Sequence, residues 1–130
     1  MLGSGVVALV ACEDNAIREQ SSHATFVVAN ETGAALLVHV DQQDSLTAVG
    51  IGQSVVVDDR RWGFTCDPVP VSQLECFQVY TSVDTQLAYQ RTSNDPAPWT
   101  RIDLWRCRYQ YDLVLYSTDL GAVPDSTRCN

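Results

Sequence analysis

From Ala24 onward the apolar and β-branched residues return at every second position, and no window of about 12 residues carries a helical period. Thr25-Phe26-Val27-Val28-Ala29, Leu36-Leu37-Val38-His39-Val40, Ser54-Val55-Val56-Val57 and Cys76-Phe77-Gln78-Val79-Tyr80 all read as strands. Leu87-Ala88-Tyr89 follows as the partner of the fourth run. Arg108 to Tyr116 closes the series, with Tyr109, Tyr111, Leu113 and Leu115 on one face. A chain patterned this way buries apolar surface by laying one sheet face against another. The expectation is therefore an all-β fold, a small β-sandwich of about seven strands over residues 24–130.

Turn chemistry fills in the connections. Asn30-Glu31-Thr32-Gly33 between the first two runs reads as a hairpin turn, and Gly50-Ile51-Gly52-Gln53 joins Leu46–Val49 to Ser54–Val57 in the same manner. Asp58-Asp59-Arg60-Arg61 reads as a surface end to that strand. Cys66-Asp67-Pro68-Val69-Pro70 and Asn94-Asp95-Pro96-Ala97-Pro98 are loops, because proline removes ladder donors. Thr100 to Arg106 is compatible with a turn or two of helix. The N-x-T-G turn followed by a glycine turn resembles the opening of immunoglobulin-like domains on bacterial lipoproteins. That resemblance implies a fold and no function.

The cysteines divide into one and four. Cys12 closes an apolar run, whereas Cys66, Cys76, Cys107 and Cys129 lie in the body. An even body set in so short a chain reads as two disulfides of an exported protein. The spacings contain no C-x-x-C pair, which sets aside a zinc site. Three connectivities fit four cysteines. The sequential one, Cys66–Cys76 and Cys107–Cys129, needs only local closures and is the expectation.

The run Leu2 to Ala11 is uncharged and too short for a bilayer, which needs about 20 residues, but it suits the apolar region of an export signal. Leu9-Val10-Ala11-Cys12 resembles the lipobox of bacterial lipoproteins. The resemblance implies cleavage before Cys12, a diacylglycerol thioether on its sulfur, and usually an acyl chain on its new amino group. It divides the chain into a signal peptide at 1–11, a lipid-anchored, flexible tether at 12–23 and a domain at 24–130. Glu13, rather than Asp, after the cysteine implies an outer-membrane or cell-surface address over the inner membrane.

Charge narrows the partners. Sixteen acidic residues against eight arginines, with no lysine, leave a net charge of −8. Nucleic acid is excluded as a partner on that balance, because binding begins with neutralised phosphates. Electrostatic attachment to anionic lipid heads is disfavoured for the same reason. Membrane association is instead expected through Cys12.

No catalytic constellation stands out, and no cofactor is implied. His23 and His39 are the only histidines, and no G-x-S-x-G elbow is present. His39 shares a strand face with Leu37 and Asp41 and reads as a surface residue. Asp41, Asp44, Asp58 and Asp59 lie near turns but lack the spaced calcium-loop pattern, so no metal site is expected. Trp62, Phe64, Tyr89, Trp99 and Trp105, with Arg60, Arg61, Arg101 and Arg106 beside them, are the candidate binding surface, since Trp, Tyr and Arg concentrate at interface hot spots; the competing and preferred reading is that the tryptophans cap the sandwich core while the arginines are solvated around them. The reading is an envelope protein that holds a protein, glycan or envelope component. The competing class is a small secreted enzyme or enzyme inhibitor.

Overall fold

The computed structural model describes residues 21–129. The signal segment 1–11, Cys12 and the tether as far as residue 20 lie outside the described residues. Among those described, eight strands form: β1 (Ser22–Glu31), β2 (Leu36–Val40), β3 (Thr47–Val49), β4 (Ser54–Trp62), β5 (Cys76–Thr81), β6 (Leu87–Thr92), β7 (Thr100–Asp103) and β8 (Arg108–Tyr116). They make two four-stranded sheets, ordered β4-β1-β8-β7 and β3-β2-β5-β6. The domain is all-β and disulfide-tied, as its alternation requires.

Period-two patterning places the core. In β1 the buried side chains are Ser22, Ala24, Phe26, Val28 and Asn30, each separated by a half-exposed neighbour. Leu36, Val38 and Val40 of β2 and Tyr111, Leu113 and Leu115 of β8 repeat the pattern. These faces meet in one apolar cluster between the sheets. Phe26 stacks on Tyr111 at 4.9 Å, while the Trp99 indole stands edge-on to Phe26 and Phe77, 5.2 Å from each. Trp99 thus packs against both sheets from the connection that crosses between them.

Several expectations are corrected. β1 starts at Ser22, two residues before the first position of the expected alternation. The two glycine-containing turns are not hairpins: β1 and β2 lie in different sheets, as do β3 and β4. Asn30 supplies the reason. Its buried amide donates to Ala34 O, Val49 O and Gly50 O at 2.7, 3.0 and 3.3 Å, drawing both arches together, while its oxygen accepts from Thr32 N at 3.0 Å. The first arch turns through Gly33 at φ +83°, a conformation glycine adopts without a Cβ penalty. β4 runs on through Trp62, and Thr100–Asp103 is a strand paired with β8 rather than helix.

β1 also runs parallel to β8, side by side from His23/Arg108 to Glu31/Tyr116. The constant-type immunoglobulin arrangement sets antiparallel strands ABED against CFG, so this strand order is different.

The disulfides are Cys66–Cys107 and Cys76–Cys129, with Cα separations of 4.8 and 6.0 Å. The sequential pairing is therefore incorrect. Both bonds join segments far apart in sequence, so local chain closure is not what selects the partner. Cys66 follows β4 and Cys107 precedes β8, the two strands flanking β1.

Candidate functional site

The expected aromatic surface separates into three groups. Tyr89 and Trp99 belong to the core and its margin, and Trp62 packs partly buried against it. Arg60 is a structural clamp. Its Nε donates to Asp58 at 2.6 Å, Nη2 to Asp41 at 2.9 Å and Nη1 to Gln73 O at 3.1 Å. Burial alone would lower its pKa, but the hydrogen bonds and charges of Asp41 and Asp58 outweigh that and hold it above the ordinary arginine value. The same Asp41 accepts from Cys76 N at 2.8 Å, linking β4 to the start of β5.

Phe64, Trp105 and Arg61 remain at the surface, all at one end of the sandwich. Phe64 is 91% exposed and Trp105 76%. Each lies two residues from a half of the Cys66–Cys107 disulfide. Tyr109 Oη donates to Cys66 O, and His23 N donates to Cys107 O at 3.0 Å, seating the paired loops on β1 and β8. Arg106 and Cys107 are both left-handed, at φ 63° and 61°, which is costly for residues with a Cβ. The Arg106 guanidinium lies over the Trp105 ring, 4.2 Å from its centre.

The C-terminal segment forms a strap against β5 and β6. Gly121 N donates to Ala88 O at 2.8 Å, Cys129 N to the Gln90 side chain at 3.1 Å, and the Gln78 amide to Cys129 O at 3.3 Å. A hollow opens on either side. One, of about 530 Å³, lies between β6 and residues 118–127 and includes Arg91, Asp95 and Asp119. The other, of about 460 Å³, is walled by His39, Asp41, Glu75, Gln78, Tyr80 and Arg128. Both volumes suit a small ligand or a few residues of a chain. Gln78, between them, is a buried polar side chain of β5.

Three polar side chains of the second hollow are oriented by neighbours within or beside it. Tyr80 Oη donates to Gln78 Oε1 at 3.2 Å, the Gln78 amide bonds Gln90 Oε1 at 3.0 Å, and His39 Nε2 bonds the Gln43 carbonyl at 2.7 Å. His39 stands outward as its strand face requires. His23 pairs with Asp59 on the outer face of the other sheet. Among the described residues no group of three or more His, Cys, Asp and Glu is placed to hold a metal ion. No family model matches the chain, and neither curated proteins nor solved structures give a match.

Proposed function

We propose that the protein is exported and lipid-anchored through Cys12, and that its sandwich binds a polypeptide or glycan in the hollow beside the C-terminal strap. One observation carries the reading. The four body cysteines are all used, in disulfides spanning 41 and 53 residues, which leaves Cys12 as the fifth, with no cysteine of this chain left to pair with. Persistent structural disulfides belong to oxidising compartments. A lone thiol at the end of a lipobox-like run is the acceptor that lipid attachment requires. The hollow's lining of imidazole, carboxylate, amide, phenol and guanidinium supports binding, because such groups hydrogen-bond the hydroxyls and amides of glycans and peptides.

The test is the intact mass of the membrane-extracted protein. A chain starting at Cys12, heavier by acyl groups and lighter by the hydrogens lost to two disulfides, supports the reading. An unmodified chain starting at Met1 rejects the anchor.

A further inference from the structure

We propose that the end of the sandwich bearing Phe64 and Trp105 is a lipid-docking tip, which seats in the headgroup layer of the membrane holding Cys12. The proposal rests on the anchor reading above and adds an orientation to it.

Three observations converge on this end. The chain enters the domain here: Ser22, the first residue of β1, pairs with Trp62, and His23 lies between Arg61 and Arg108. Nine peptide units separate Cys12 from Ser21, so an anchored chain holds the tip within about 30 Å of the bilayer. Phe64, Leu104 and Trp105 project from the two loops closed by Cys66–Cys107, with Leu104 48% exposed. Aromatic rings of this kind concentrate at membrane interfaces.

Charge is the third. Segments 61–67 and 104–108 hold Arg61, Arg106 and Arg108 against Asp67, a local balance of +2 in a chain of −8. Of the bordering acids, Asp103 is balanced by Arg101 at 2.8 Å, while Asp59 hydrogen-bonds His23 and brings the balance to +1 with a neutral imidazole. Arginine stems can lie along apolar surface while their heads meet lipid phosphates. The whole-chain charge opposes adsorption from solution. A tether removes that barrier by holding the positive end toward the bilayer. The left-handed pair Arg106-Cys107, locked by the disulfide and by His23 N, fixes Trp105 at the apex.

The experiment uses the full chain, extracted from membranes and reconstituted into phosphatidylethanolamine–phosphatidylglycerol vesicles with or without brominated acyl chains. Emission of the three tryptophans is read, with Trp105→Phe to assign the apex. Brominated lipid is expected to quench Trp105 by roughly half, and Phe64→Asp to abolish most of that quenching without loss of folding. The intact mass is measured on the same sample. An acylated chain whose Trp105 is not quenched overturns the tip and leaves the anchor standing. An unacylated chain overturns the anchor and, with it, the tethered tip. Shielding of Trp105 from iodide without quenching by brominated lipid assigns the tip to a protein partner and overturns the proposal.

Discussion

Trp99 meets Phe77 edge to face, ring centroids 5.2 Å apart and planes at 74°, while its other side meets Phe26 of the opposite sheet. A residue in a proline-rich loop thereby closes the gap between two sheets. Trp99→Ala is expected to cost about 3 kcal/mol, the order found for removing a packed aromatic. Trp99→Phe should recover a large part of that. Urea denaturation followed by far-ultraviolet circular dichroism measures both.

Disulfide connectivity is readable by digestion without reduction. Trypsin leaves Cys66 and Cys76 on one peptide, 62–91, with Cys107 on 107–108 and Cys129 on 129–130. The pairing Cys66–Cys107 and Cys76–Cys129 joins all three peptides into one mass. Further cleavage after Glu75 should separate it into two linked pairs, 62–75 with 107–108 and 76–91 with 129–130. A closed 62–91 peptide would reject this topology. Replacing Cys66 and Cys107 by serine should cost about 2–4 kcal/mol.

Arg60 should behave as a clamp rather than as a contact residue. Arg60→Ala leaves Asp41 and Asp58 facing each other without their shared cation and is expected to cost about 2 kcal/mol. Arg60→Lys should restore little, because an ammonium cannot reproduce the fork that reaches two carboxylates and a carbonyl. Thermal melts of the two variants decide the matter. Equal recovery by lysine would mean that charge alone is involved.

The Asn30 side chain makes five hydrogen bonds from a fully buried position. Asn30→Ala strands the carbonyls of both arches and should destabilise by about 2–3 kcal/mol. Asn30→Asp should be no better, since an ionised carboxylate cannot donate. A near-neutral aspartate variant in a denaturant titration would contradict this account.

Alkaline stability follows from Tyr111 and Tyr89. Burial raises both phenol pKa values, offset in part by the positive charges of Arg101 and Arg91 respectively. The folded state therefore favours the neutral phenol. Its contribution is complete below the unfolded value of about 10 and is lost as pH rises through the higher folded value. Tyr111→Phe should lose the hydrogen bond to Val69 O at neutral pH, yet show a shallower decline in stability above pH ~10. Denaturant midpoints across alkaline pH test the sign.

What was legible in the sequence was local. The inward faces of β2 and β8 followed from alternation, and the β5–β6 hairpin followed from adjacent strand runs. The outward placement of His39 came from the same rule. The binding surface was not legible as a whole. Composition grouped Trp62, Phe64, Tyr89, Trp99 and Trp105, and the fold distributes them between core and tip. The strap hollow escaped because Gln78 acquires its burial from Cys129, 51 residues away.

Sequence by itself therefore determined an all-β, two-sided fold and the residues that face inward, because side-chain direction in a strand is a property of the strand alone. Only the tertiary structure decided which strands share a sheet, which cysteines meet and which aromatics reach solvent. Asn30 shows why. An Asn/Gly turn is chemically suited to a hairpin, yet its side chain gains more by bonding three carbonyls of two arches, and that choice exists only once the sheets are packed.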